Sequence, residues 1–101
     1  MANPVMETVT FRLLPGTDSA AFLAAARATA PLVAACPGFV ARHLTCDEDG
    51  TWTDLVEWTS AGAAHAAAAA LMADPVFQPF VAMIDGASAR MRHPAILWRM
   101  A

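Results

Sequence analysis

Apolar and polar positions alternate cleanly at the start of the chain. Val5, Val9, Phe11 and Leu13 share one parity and Met6, Thr8, Thr10 and Arg12 the other, which predicts a half-buried strand over 5–14. PGTDS supplies a turn and a helix start, with Asp18 or Ser19 as N-cap. The helix should run to about Cys36 with Phe22, Ala25, Ala26, Thr29, Leu32 and Val33 along one stripe. Pro31 removes an amide donor, so a kink or a split last turn is expected there. Pro37-Gly38 ends the element. FVARHLTC (39–46) and TWTDLVEW (51–58) read as strands joined by DEDG, a hairpin. Thr59 or Ser60 then caps a nearly pure alanine helix that ends near Ala73. A short helix over about 75–84, a break at Asp85-Gly86 and a fourth strand over 89–93 complete the chain.

The order is strand–helix–strand, twice. Right-handed crossovers place both helices on one side of a four-stranded antiparallel sheet, a ferredoxin-like α+β arrangement with expected strand order 4-1-3-2. Pro94 fits a fourth strand at the sheet edge. The 101 residues fit one domain spanning 1–101.

Composition changes that picture in one respect. Hydrophobic residues make up 57% of the chain and charged residues 15%, too little charge to coat the whole surface. The face without helices should carry Met6, Thr8, Thr10, Arg12, Val40, Arg42, Leu44, Thr53, Leu55, Glu57, Arg90 and Arg92, a mixed list suited to a partner sheet. A standard interface buries ~1,600 Å² in total. If half is apolar, the gross gain at ~25 cal/mol per Å² is ~20 kcal/mol, above association costs of ~4–15 kcal/mol. A homodimer through the sheet faces is therefore expected, with the apolar tail AILWRM reaching the partner.

Net charge is −3, lysine is absent and the arginines are scattered, so no basic face for nucleic acid is visible. No uninterrupted apolar run reaches membrane-spanning length, because Arg27, Pro31, Pro37 and His65 break the long stretches. MANPVMETV has neither the basic region nor the apolar core of a signal peptide, so a cytoplasmic location is expected. Cys36 and Cys46 are too few for a disulfide framework and read as reduced thiols. The histidines have no HxH or HxxxH spacing, and no metal site is expected.

The length, the βαββαβ order and the run DLVEWTSAGAAHAAAAALMADPVFQPF together resemble the antibiotic biosynthesis monooxygenase domain family. The resemblance covers roughly residues 5–93. Its most telling part is a third strand ending in Trp58, a capped turn, the Ala64-His65 pair, and the proline-aromatic segment Pro75 to Phe80. It implies a dimeric α/β barrel. It also implies one of several activities found in the family: cofactor-free oxygenation of aromatic polyketides, quinol oxidation or haem degradation. The haem-degrading branch uses an Asn on the first strand, whereas the single Asn here is Asn3, before that strand. That departure argues against haem, and no cofactor is expected.

Strand phase supplies candidate chemistry. If Val9 and Phe11 face the helices, His43, following Phe39 and Ala41, should do so too, as should His93, following Met91. Trp52, Asp54, Val56 and Trp58 share one face of the third strand. His65 shares a helix face with Ala61, Ala68, Ala69 and Met72, taken as inward. Phe22, Phe77, Phe80 and Met83 could roof the resulting apolar space, the usual character of a small-molecule site. A cofactor-free monooxygenase of a flat phenol, quinol or polyketide-type aromatic needs a base: His65 or His43. Trp58 and His93 would be walls, and Arg92 or Arg42 would steady the anion. Each has a structural reading beside this one, His65 as a hydrogen-bonded core residue and Trp58 as plain packing. The alternative function is a dimeric barrel that binds a small hydrophobic ligand without turning it over.

Overall fold

A computed structural model describes residues 3–101. Met1 and Ala2, which belong to the stretch read for a leader, lie outside the described residues. Four strands, β1 (Val5–Leu13), β2 (Phe39–Cys46), β3 (Trp52–Trp58) and β4 (Ile84–Arg92), form one antiparallel sheet in the order β2-β3-β1-β4. This is the expected ferredoxin-like topology, with β2 and β4 at the edges. The helices α1 (Ser19–Ala34) and α2 (Ala61–Met72) cover one face.

Both helices start where the sequence provides an acceptor. Asp18 Oδ2 accepts from Ala21 N at 3.2 Å, and Ser60 Oγ accepts from Ala63 N at 3.0 Å. Pro31 neither splits nor ends α1, which continues to Ala34. The short helix expected over 75–84 resolves into a 3-10 turn, Pro75–Phe77, followed by α3 (Gln78–Ala82). Asp74 caps the turn by accepting from Val76 N at 2.9 Å.

The fourth strand starts earlier than expected. Leu13 pairs with Ile84 and Arg12 with Asp85, and then the register shifts before Thr10 meets Arg90. The extra residues on the β4 side include Gly86, Ala87 and Ser88 and form a wide bulge. Ser88 Oγ fills the broken ladder by accepting from Arg12 N at 2.8 Å. An alternation test misses such a strand because the bulge erases the alternation.

The core lies in two clusters under the helices. Beneath α2, Trp58 packs with Val5, Val33, Val56, Ala64 and Ala67. Beneath α1 and α3, Phe22 is fully buried, with its ring 5.7 Å from Phe11, 5.0 Å from Trp52 and 5.1 Å from Phe80. Edge-on and offset contacts at these spacings suit the aromatic quadrupoles. After β4, Pro94 O accepts from Met6 N and Ile96 N donates to Pro4 O, which ties the tail along the start of β1. Arg99 then forms an ion pair with Glu57, on the face that has no helices. Leu97, Trp98 and Met100 remain 87%, 77% and 80% exposed. Among the described residues, no helix is long and apolar enough to cross a membrane.

Candidate functional site

Register decides which side chains turn toward the helices. Opposite residues point the same way, so Trp52, Asp54, Val56 and Trp58 on β3 align with Phe11, Val9, Glu7 and Val5 on β1. On β2, Cys46 lies opposite Trp52, Leu44 opposite Asp54 and Arg42 opposite Val56. The register slips between Phe39 and Ala41, so a bulge at Val40 separates Phe39 from the rest of its strand. The expected phase of β2 is corrected accordingly. Arg42 and Leu44 face the helices, whereas His43, opposite Leu55, belongs to the uncovered face.

Arg42 becomes the centre of a fixed polar group. Its Nε and Nη2 donate to the two oxygens of Asp54 at 3.0 and 2.9 Å. Its Nη1 donates to Thr29 Oγ1 at 2.8 Å, and that hydroxyl in turn donates to Ala26 O at 2.6 Å. The guanidinium carbon sits 5.4 Å from the centre of the Phe80 ring. A bidentate pair of this kind fixes direction as well as charge. A guanidinium has five N–H donors, so these three bonds leave two uncommitted among the described residues.

This group opens onto a groove of about 420 Å³ between α1 and β2. Its walls are Leu23, Ala26, Arg27, Ala30, Val33 and Ala34 from α1, and Phe39, Arg42 and Leu44 from β2. The α1 positions recur at helical spacing, and most are alanine or another apolar residue. Alanines opposite an edge strand do not fill the gap, so the groove follows from missing side-chain volume. A smaller crevice of about 250 Å³ lies between α2 and the α1–β2 turn, lined by Cys36, Pro37, Gly38, Thr59 and alanines of α2.

A second polar cluster stands at the other side of the covered face. Glu7 Oε2 lies 3.0 Å from His93 Nε2, and the His93 ring lies 4.7 Å from that of His65. Glu7 is buried, His93 half-buried and His65 exposed. Among the described residues, no group of three or more His, Cys, Asp or Glu is placed to hold a metal ion.

The expected site residues therefore separate. His93 turns toward the helix side as expected, but meets Glu7 and His65 rather than a cavity. His65 is exposed, because α2 buries Ala64 and Ala67 and leaves Ala61, Ala69 and Met72 outside. The inward face assigned to α2 is thus corrected by rotation about its axis: an alanine helix carries too little amphipathic signal to fix its own phase. Trp58 is 1% exposed inside the packed cluster, and its Nε1 has no hydrogen-bond partner among the described residues. Phe22, Phe80 and Met83 belong to the other cluster and do not line the groove. Arg92 lies opposite Thr8, on the uncovered face. The Asp54 and Glu7 partnerships were missed, although a carboxylate on an otherwise apolar strand face demands a partner.

No known family's sequence pattern matches the chain, and no curated protein does. Solved structures do. SnoaB from Streptomyces nogalater, described as a cofactor-independent oxygenase, is 24% identical, with a TM-score of 0.66 over 99% of this chain and 97% of its own. A protein from Bordetella bronchiseptica, provisionally described as an antibiotic biosynthesis monooxygenase, is 14% identical, with a TM-score of 0.81 over 95% and 99%. A dimeric ferredoxin-like protein of unknown function from Jannaschia sp. CCS1 is 14% identical, with a TM-score of 0.68 over 92% and 99%. At such identities the likeness is one of fold: the chain shares the ferredoxin-like fold of these proteins.

Proposed function

We propose that the chain is a cofactor-independent oxygenase of a small flat phenol or hydroquinone held in the α1–β2 groove. The observation that carries this reading is Arg42: an immobilised guanidinium with two uncommitted N–H groups in an otherwise largely apolar groove. A phenol lying against Phe39 and Leu44 with its oxygen toward Arg42 would ionise more readily there than in water, because the positive dipole is already oriented. The proton leaves to solvent through the open side. The phenolate gives one electron to O₂, forming a phenoxyl radical and superoxide, and these recombine at a ring carbon. Where that carbon still bears a hydrogen beside the new hydroperoxide, loss of water leaves a carbonyl. One oxygen atom stays in the product, the other departs as water, and the substrate supplies all four electrons.

In this reading His65 is the residue placed to take the proton if the ring reaches the Glu7–His93 side instead, since it is exposed there with its ring 4.7 Å from that of His93. His43, Arg92, Phe22, Phe80 and Met83 have no direct part. The uncovered sheet face pairs with a second copy, and the exposed Leu97, Trp98 and Met100 lie at the margin of that contact.

The second reading is a ligand-binding dimer without turnover. The groove's lining favours it, because those residues include no His, Asp or Glu to act as a base. Anaerobic titration with naphthohydroquinone, followed by oxygen uptake on admitting air, separates the two. Binding with protein-dependent uptake that Arg42→Met abolishes supports the oxygenase. Binding without uptake leaves the ligand-binding reading. Uptake lost in His65→Ala but kept in Arg42→Met would move the site to the Glu7–His93 side. Sedimentation giving a protomer at micromolar concentration would remove the dimer.

A further inference from the structure

The charges around the groove do not balance, and the imbalance names its ligand. Arg42 is neutralised where it stands, since both oxygens of Asp54 are bound to it. Arg27 is the groove's other charged residue. It lies on α1 one residue beyond Ala26 and three before Ala30, at the rim where the helix leaves the core, and it is exposed. The ion pairs of the described residues involve Arg42, His93 and Arg99, and none involves Arg27. Among the described residues, no acidic one lines the groove. An apolar slot with a compensated guanidinium on one wall and an uncompensated one at the rim carries a formal excess of one positive charge.

We propose that the groove takes a flat aromatic carboxylic acid, its carboxylate held by Arg27 and its phenolic oxygen by Arg42. This rests on the groove being the binding site proposed above, and it adds the class of molecule that fits. A guanidinium matches a carboxylate in a planar two-point contact, so Arg27 fixes the in-plane direction of the ring as well as its charge. Two anchors on opposite walls, one from α1 and one from β2, set which ring oxygen meets Arg42. A neutral phenol has only one such anchor and can turn about it. The rim position also makes the contribution of Arg27 sensitive to ionic strength, because an exposed charge is screened within about 8 Å at physiological salt.

The test uses the whole chain without oxygen, so that binding is read apart from turnover. Two probes of nearly the same ring are compared by fluorescence titration, 6-hydroxy-2-naphthoate and 2-naphthol, which differ by a carboxylate at the far end of the ring from the hydroxyl. The expected result is at least about tenfold tighter binding of the naphthoate at low salt, a preference that shrinks toward unity at ~1 M salt. Arg27→Gln should bring the naphthoate to the affinity of 2-naphthol and leave 2-naphthol itself unchanged, whereas Arg27→Lys should keep part of the preference. Equal affinity for the two probes, or a preference that survives Arg27→Gln, would overturn this inference while leaving the groove as a binding site. Failure of both probes to bind would overturn the groove itself. Arg27 is exposed, so the variants should keep the parent's far-ultraviolet circular dichroism and melting temperature.

Discussion

Replacing Asp54 by Asn tests whether the Arg42 group is as closely built as its distances say. The substitution keeps shape and removes the charge that balances Arg42. Removing one partner of a fully buried pair costs ~3–5 kcal/mol, because the other charge is left uncompensated. Here the side chains are 14% and 11% exposed. Arg42 keeps its bond to Thr29 and can draw on water from the groove. The expected loss is therefore smaller, about 2–3 kcal/mol. A chain of this size loses ~4–8 °C of melting temperature per kcal/mol, so Asp54→Asn should melt roughly 10–20 °C lower. Arg42→Met with Asp54→Leu removes both charges and fills their volume, and should lie within ~1 kcal/mol of the parent. Urea denaturation of the parent, Arg42→Met, Asp54→Leu and the double, at one protein concentration, gives the coupling directly. If Asp54→Asn changes stability by less than about 0.5 kcal/mol, the range of an ordinary surface change, the group is not the fixed anchor described.

Three further outcomes follow from local geometry. Gly38 has φ +87°, and a Cβ there would meet Ala63 Cβ at 2.6 Å and Thr59 Oγ1 at 2.7 Å, whereas Gly16, with φ +83°, has nothing within 4 Å. Gly38→Ala should thus cost ~2 kcal/mol or more in denaturation and Gly16→Ala nearer ~1, and equal costs would contradict the tight seam between the β2 entry and α2. Asp49 accepts from Thr51 N at 2.9 Å, and this backbone bond holds its carboxyl below the usual carboxylate range. A lowered folded value means its contribution is full above the unfolded value and fades as pH falls through the folded one. The Thr51 amide shift in a nuclear magnetic resonance titration should therefore move below the ordinary carboxylate range and stay still in Asp49→Asn. Burial pushes the Cys36 thiol up, while Cys46 is exposed. Iodoacetamide at pH 8 should modify Cys46 first, and equal rates by peptide mass mapping would count against that placement.

The fold could be read from the chain because its decisive signals are local. The alternation of β1, the caps at Asp18 and Ser60, and the turn at 47–50 each act over a few residues, and the structure keeps them all. The phase errors fell where local signal is absent or interrupted. In α2, alanines on every side leave orientation to whatever the sheet presents, and Trp58 and Val56 selected Ala64 and Ala67. In β4, the bulge between Asp85 and Arg90 hid the first half of the strand.

The error in β2 is the instructive one, because the information that corrects it lies in the same hairpin. Counting inward from Phe39 assumes an unbroken strand, and Val40 breaks it. Counting outward from the turn needs no such assumption. Asp47 N donates to Thr51 O, which closes the loop and sets Cys46 against Trp52. Leu44 then falls against Asp54 and Arg42 against Val56, on the same face as two tryptophans. A carboxylate on that face must find a cation, and Arg42 is the arginine on the neighbouring strand of the hairpin. The anchor of the groove is thus derivable from turn register and the cost of a buried charge. The groove itself is not, since it consists of volume that Ala26, Ala30 and Ala34 leave unfilled beside an edge strand. Alanines in a helix look the same in sequence whether they admit a close neighbour, as Ala63 does for Gly38, or leave a gap, as Ala30 does over β2. Only the distance between the two backbones decides which.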